Sequence, residues 1–519
     1  MLFRSLASAE DQTTRFFVVT AGHLALVRVT GETEDIVALP RPGQFTGELN
    51  MLSGRHAFVR VRAGETGEVI EVDREHLVAL VQTDSELSEI LMRAFILRRL
   101  ELIKHGLGDV VLVGSSHSAG TLRVKEFLTR NGYPHSYLDL ERDAGVQTLL
   151  DRFQVSVADV PVLICRGTTV LRNPTNQQIA ECLGLNAPID QAQVRDVVVV
   201  GAGPAGLAAA VYGASEGLDV LVVESNAPGG QAGSSSKIEN YLGFPMGISG
   251  GDLAARAYTQ AQKFGARMIV ARSAQRLLCE RRPFAVQIDE GPPVAARTVV
   301  IATGASYRKL AVDDLARFEG NGVYYGATPI EAQLCRDEEV IVVGGGNSAG
   351  QAAVFLAQTA HRVHMLVRAR GLAESMSRYL IRRIENSPAI ELRTETEIVR
   401  LNGNGQLQGV AWRDQRSGAV ETRDIRHVFV MTGADPNTRW LADCLALDAK
   451  GFIKTGPDLT RDDLAAAGWP LARPPHLFET SLPGVFAVGD VRGGNMKRVA
   501  SAVGEGSTAI AFVHQVLAE

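Results

Sequence analysis

Two glycine-rich turns carry most of the chemistry that can be read from this chain. Gly201-Ala-Gly-Pro-Ala-Gly206 and Gly344-Gly-Gly-Asn-Ser-Ala-Gly350 begin 143 residues apart, directly after the β-branched runs Asp196-Val-Val-Val-Val200 and Val340-Ile-Val-Val343. Each reads as strand, tight turn, helix. Glycine lets such a turn close and lets backbone N–H groups approach a pyrophosphate at the positive end of the next helix. One turn of this kind is a weak signal. Two in one chain imply two dinucleotides, and the natural pairing is a flavin with a nicotinamide, between which a hydride passes. Gly201, Gly203, Pro204, Ala205 and Gly206 are the expected contacts of the first, and Gly344, Gly346, Asn347, Ser348 and Ala349 those of the second.

The residue 23 positions past each first glycine separates the two sites. In the first it is Glu224, at the end of Asp219-Val-Leu-Val-Val-Glu224, where an acid accepts hydrogen bonds from a ribose 2′-OH. In the second it is Val367, followed by Arg368, with Arg370 close by. No carboxylate stands there to repel a phosphate, and a guanidinium pairs with one through two hydrogen bonds. That pattern favours NADPH over NADH.

At 519 residues the chain is too long for one core, and its 45% hydrophobic content suits several well-buried domains. The net charge of −5 gives no electrostatic reason to expect nucleic acid or an anionic membrane. Residues 197–214 are uncharged, but their four glycines and one proline fit strand-turn-helix and not a membrane span. The N-terminal residues show no basic segment followed by an apolar run. The five cysteines (Cys165, Cys182, Cys279, Cys335, Cys444) are widely spaced and form no C-x-x-C. They point to a reducing cytoplasm, against structural zinc or any other metal, and against a redox disulfide between sequence neighbours.

Three regions must position these residues. Residues 1–105 alternate apolar and polar in short runs between Gly, Thr and Asp turns, as in an antiparallel β-roll, with a helical segment near 85–104. Residues 106–185 read as alternating strands and helices. After a short polar linker, everything from Arg195 is α/β.

From Arg195 onward the chain resembles the low-molecular-weight thioredoxin reductases. The resemblance rests on Gly201–Gly206, Pro228-Gly-Gly-Gln231, Ile238-Glu-Asn-Tyr-Leu-Gly-Phe-Pro245, Ile301-Ala-Thr-Gly304, Gly344–Ala349, Thr432-Gly433 with Pro436-Asn-Thr438, and Gly484-Val-Phe-Ala-Val-Gly-Asp490. It implies two Rossmann-like domains, one for FAD (195–318 and 435–519) and one for NAD(P)H (319–434) inserted between its halves. It implies FAD contacts at Gly230, Gln231, Asn240, Thr303, Gly304 and Asp490, and at Arg498-Val499-Ala500, where the family has Arg-Gln-Ala. A homodimer is implied as well.

One departure decides the chemistry. The family places a Cys-x-x-Cys just before its nicotinamide turn, and flavin reduces it. Here the stretch is Gly322-Val-Tyr-Tyr-Gly-Ala-Thr-Pro-Ile-Glu331, with Gly326 and Pro329 at the thiol positions, or Ala327 and Ile330 if the match shifts by one. None of these can form a thiolate. Glu331 has two readings, a helix cap or the acid that protonates a product. Cys335 reads as a small buried hydrophobe.

The N-terminal regions carry further resemblances. Residues 109–185 are similar to a glutaredoxin- or thioredoxin-like domain. Val160-Pro161 stands at its cis-proline position, and Ser118-Ala-Gly-Thr121 stands where two cysteines belong. His117 reads as a surface group at a helix start. Residues 12–104 resemble the cyclic-nucleotide-binding β-roll, through Phe45-Thr-Gly-Glu-Leu49 and Arg55-His-Ala57. That resemblance assigns Gly47 to close backbone approach, Glu48 to a ribose 2′-OH and Arg55 to a cyclic phosphate.

The expected function is an NADPH-dependent FAD oxidoreductase that passes electrons to a small-molecule or protein acceptor, with a cyclic nucleotide as effector. The alternative is a redox or nucleotide sensor with little turnover. A third reading draws a thiol pair from separate regions, such as Cys165 and Cys182.

Overall fold

The computed structural model describes all residues except 1–4, 8–14, 31–32, 48, 54–58, 106–107, 117, 144–145, 147–149, 151–155, 157–158, 167 and 442–443. The N-terminal strands form a roll of two antiparallel sheets. One has the order Ser5–Ala7, Arg60–Ala63, Leu24–Thr30, Thr33–Ala38, and the other pairs Phe16–Ala21 with Glu68–Val72. Helices Arg74–Thr83 and Ser85–Lys104 close it, each capped by an aspartate (Asp73, Asp84) that accepts a backbone N–H. Leu77, Val81, Leu91 and Phe95 of these helices pack against Phe16.

The middle domain has one four-stranded sheet in the order Thr169–Arg172, Val162–Cys165, Val110–Gly114, Ser136–Asp139. The central pair is antiparallel, and Val110–Gly114 runs parallel to Ser136–Asp139. Helices Ala119–Arg130 and Asn176–Cys182 contribute to its core. The Val160-Pro161 bond is cis. A Cβ on Gly120 would lie 2.8 Å from the Pro161 ring, so this turn sits against the start of helix Ala119–Arg130.

Two parallel-sheet units make up the rest. In the first, Arg195–Val200 is central, flanked in parallel by Val220–Val223 and Val294–Ile301, and Val485–Ala487 joins the far side of the latter. Val197 and Val199 pack into one hydrophobic cluster, while Val198 and Val200 pack into another on the opposite face. A strand covered on both faces by apolar groups needs a continuous β-branched run, which is why alternation is lost there. The second unit repeats the arrangement. Glu339–Val343 lies between Arg362–Val367 and His427–Val430, with Val340 and Val342 on one face and Ile341 and Val343 on the other. The two units are joined by a two-stranded antiparallel link, Ala305–Tyr307 with Ala434–Pro436.

Cysteine spacing gave no reason to expect a paired thiol, and the structure differs. Cys279, just after strand Ala274–Leu278, is disulfide-bonded to Cys444, while Cys165, Cys182 and Cys335 are free. The partners are 165 residues apart, and only the fold of the first parallel unit brings them together. Among the described residues no helix is long and apolar enough to cross a membrane.

Candidate functional site

Each glycine turn leads into a helix whose first N–H groups are left open. Helix Pro204–Ser215 has Gly203 at its N-cap and helix Asn347–Leu356 has Gly346, and neither has a side-chain cap. A helix start without a side-chain partner is an anion site in waiting. A Cβ on Gly206 would fall 1.8 Å from the Gly201 carbonyl oxygen, and one on Gly201 would fall 2.3 Å from the Ala302 oxygen, so the turn closes only with glycine. At Gly203 the nearest atom is 3.9 Å away, and at Gly346 it is 4.0 Å away. The turns are therefore tight where they close and open where a pyrophosphate has to enter. The residues present fit the two dinucleotides.

Glu224 ends strand Val220–Val223 and is buried beside the first turn. Its two oxygens accept the N–H groups of Ala202 (2.8 Å) and Asn226 (2.8 Å). Burial pushes its carboxyl up, and those N–H groups pull it back. The chain crosses Gly229 and Gly230 at positive φ to reach Gln231, whose side-chain amide donates to the Ala305 carbonyl of the link. A Cβ on Gly230 would meet the Gly203 Cα at 3.0 Å, so this loop lies directly over the first turn. Asn240 is exposed beyond it.

Thr303 and Gly304 end strand Val294–Ile301 and are tied across the chain. Thr303 Oγ1 donates to the Asn437 carbonyl (2.9 Å), Asn437 Nδ2 donates to the Thr303 carbonyl (2.8 Å), and Asn437 N–H donates to Gly304 (3.1 Å). Asp490 follows strand Val485–Ala487, and burial raises its carboxyl above the usual range, with Lys497 partly offsetting this. Its loop is held by Glu505, which accepts Gly489 N–H (2.7 Å), Arg492 Nη2 (2.7 Å) and Asn495 Nδ2 (2.7 Å). Arg498 is the N-cap of helix Val499–Ala518, again with no side-chain cap, and Val499 and Ala500 form its first turn.

At the second turn, Asn347 Oδ1 accepts Ser377 N–H (2.8 Å) and Ala349 is buried. Ser348 is hydrogen-bonded to Tyr307, bridging the link strand to the second turn's helix. Arg368 is exposed just past strand Arg362–Val367, and Arg370 pairs with Glu395 at 3.5 Å. A small cavity between the units is lined by Gln231, Ser234, Tyr307, Gly326, Ala327 and Ser348. The segment that lacks thiols therefore faces the Gln231 loop.

Glu331 behaves as a cap. In helix Pro329–Leu334 its carboxylate accepts the Thr328 N–H (2.9 Å) and the Thr328 hydroxyl. Burial also pushes its pKa up, so a capping acid is held toward its protonated form. Cys335 is fully buried, its S–H donates to the Glu331 carbonyl (3.3 Å), and burial pushes its pKa up to about 12. It is the small buried hydrophobe that its setting suggested.

Three contributors were not visible in the sequence. Arg130, the last residue of helix Ala119–Arg130 in the middle domain, donates through Nη2 to the carbonyls of Gly230 (2.8 Å) and Ala227 (3.3 Å). Glu505, the one carboxylate in its helix, is another, and the third is the bond of Asn437 to Thr303, although Asn437 itself lay in a recognised motif. The same middle-domain helix begins beside Gly320, where an added Cβ would lie 2.8 Å from Ala119 Cβ. Ser118 is its N-cap, and Thr121 is buried. In the roll, Gly47 has φ +97°, and Arg98 donates to the carbonyls of Gly47 (2.8 Å) and Phe45 (2.9 Å). Glu48, Arg55 and His117 lie outside the described residues.

Comparison with known proteins follows this division. Residues 195–506 match the model of the pyridine nucleotide-disulphide oxidoreductases, and residues 4–84 match that of the cyclic nucleotide-binding domain. A thioredoxin reductase of Mycoplasma pneumoniae is 31% identical over 325 residues, 62% of this chain and 96% of the relative. NADPH-dependent thioredoxin reductase 3 of Arabidopsis thaliana is 31% identical over 364 residues, and the match spans 64% of its length and 66% of this chain. The crystal structure of Lactococcus lactis thioredoxin reductase superposes with a TM-score of 0.55 at 26% identity, covering 62% of this chain and 99% of that one. With a cyclic-nucleotide-binding domain at its N-terminal end, the chain belongs to the pyridine nucleotide-disulphide oxidoreductase family and is thioredoxin reductase-like.

Proposed function

We propose that the chain is an NADPH-dependent FAD oxidoreductase whose electrons leave the flavin without an internal disulfide relay. The observation that carries this is the cavity between the two units, lined by Gly326 and Ala327, one of which takes the first thiol position in either match of the Gly326–Pro329 or Ala327–Ile330 pair, and neither of which carries sulfur. When bound, FAD supplies the chemistry, accepting a hydride from NADPH and passing electrons onward. The protein's share is alignment and electrostatics. The N–H groups at the starts of helices Pro204–Ser215 and Asn347–Leu356 would hold the two pyrophosphates. Glu224 would take the FAD ribose, and Asp490, with the N–H groups of Val499 and Ala500, the flavin side. Gln231, Asn240, Thr303 and Gly304 would fix the ring, and Arg368, with Arg370, the 2′-phosphate of NADPH. Glu331 sits where a proton can be kept near the cavity.

The acceptor on this reading is a small oxidant or a cysteine pair of another protein. The middle domain, thioredoxin-like in strand order and with Ser118-Ala-Gly-Thr121 where that fold carries Cys-x-x-Cys, acts as a fixed spacer over the Gln231 loop. The boundaries proposed are 1–105, 106–185, 195–318, 319–434 and 435–519, with a homodimer formed through the flavin domain.

The test is turnover in a variant with Cys165, Cys182 and Cys335 all changed to serine. Sustained NADPH oxidation with a quinone acceptor is expected. Loss of that activity with flavin still bound would overturn the reading. The match of residues 4–84 to a cyclic nucleotide-binding domain favours one addition, a nucleotide effector. Calorimetric titration of cyclic AMP and cyclic GMP should give heat, and no heat from either removes the effector.

A further inference from the structure

We propose that Cys165 and Cys182 form a redox-active dithiol in the middle domain, which closes to a disulfide by exchange with low-molecular-weight disulfides of the glutathione class. Cys165 is the last residue of strand Val162–Cys165, and Cys182 is the last residue of helix Asn176–Cys182. Their side chains are hydrogen-bonded to each other. Both belong to one hydrophobic cluster, Cys165 fully buried and Cys182 at its edge and half-buried. Two thiols in contact, one reachable and one sheltered, are arranged for attack followed by resolution.

The pair is separate from the turn that carries Ser118 and Thr121. Cys165 stands opposite Val110, at the start of strand Val110–Gly114, whereas Thr121 packs on Gly114 at its end. Arg166 follows Cys165 directly, its backbone N–H bonded to the Asp109 carbonyl (2.6 Å) and its guanidinium 3.7 Å from the Asp109 carboxylate. The S–H of Cys165 and the charge of Arg166 both lower the Cys182 pKa, while the contact with Cys182 and burial push Cys165 up. Cys182 is therefore the attacking sulfur, since the thiolate is the nucleophile.

The balance is simple. The Cys182 thiolate attacks one sulfur of the small disulfide and expels a thiolate, giving a mixed disulfide. Cys165 then loses its proton and attacks the Cys182 sulfur, expelling the second thiol. Two protein thiols are oxidised and one small disulfide is reduced to two thiols. The new bond would tie the helix end to the strand end within the cluster that also holds Val270 and Ala271 of the first nucleotide unit. The effect is thus felt at the seam between the two domains.

The test uses the full-length holoprotein, reduced, desalted and incubated with oxidised glutathione, then digested without reductant for mass spectrometry. A cross-linked pair of peptides joining Cys165 to Cys182, lighter by two hydrogens than the free pair, is expected. Cys165→Ser should trap glutathione on Cys182, and Cys182→Ser should leave Cys165 unmodified. Glutathione resting on Cys182 of the unaltered protein with Cys165 free would overturn the proposal, and so would both thiols staying free. Should a serine variant fail to fold, the cross-link in the unaltered protein, reversed by thioredoxin or dithiothreitol, decides alone.

Discussion

Arg130→Ala should loosen FAD although Arg130 lies in the middle domain and is placed in neither nucleotide site. Its Nη2 donates to the Gly230 carbonyl at 2.8 Å and the Ala227 carbonyl at 3.3 Å, and its Nη1 reaches Glu126 at 3.3 Å. The loop so held carries Gln231 and lies on Gly203, where the pyrophosphate is expected. A hydrogen bond to a charged donor contributes about 2 kcal/mol. Loss of one such bond through loop disorder corresponds to roughly thirtyfold in affinity at 1.4 kcal/mol per decade. Flavin fluorescence titration of the apoprotein should therefore show the FAD dissociation constant rising about thirtyfold. Arg130→Lys, which keeps one donor, should fall between, and near-ultraviolet circular dichroism should show the fold intact. A dissociation constant within twofold of the unaltered protein, in a folded Arg130→Ala variant, would refute the idea that the middle domain positions this loop.

Changing Cys279 and Cys444 together to serine opens a loop whose ends are 165 residues apart, for which chain entropy alone gives at most about 5 kcal/mol. Calorimetry should show a lower Tm, insensitive to reductant, whereas the unaltered protein should lose Tm when reduced. Glu331 has its pKa raised above its ordinary 4.5 by burial, so its stabilising protonated state is present at low pH and lost as pH rises through the raised value. Urea unfolding should show the unaltered protein losing more stability than Glu331→Gln as the pH is raised above 4.5. Arg368→Ala should raise the KM for NADPH about tenfold, the low end for a charge-assisted bond because Arg368 is exposed, and leave that for NADH nearly unchanged. Equal effects would contradict a 2′-phosphate role.

Both parallel units were legible because their central strands are buried on two faces, which forces runs such as Val197–Val200 and Val340–Val343. The turns after them were legible for the steric reason seen at Gly206. Glu331 was read two ways, and its capping contacts with Thr328 became visible only in three dimensions. Arg130 could not be found in this way, since its partners lie about a hundred residues away and nothing local marks it, and although Asn437 stood in the Pro436-Asn-Thr438 motif, its bonds to Thr303 were not legible. The Cys279–Cys444 bond escaped for the same reason, as cysteine spacing reports only near neighbours.

That bond also changes the connectivity of the molecule. Every strand from Val323–Tyr324 to His427–Val430 lies between its two ends, so the whole second nucleotide unit is carried on a covalently closed ring anchored in the first. A single nick anywhere in the inserted unit leaves the fragments on either side of it linked until a reductant is added.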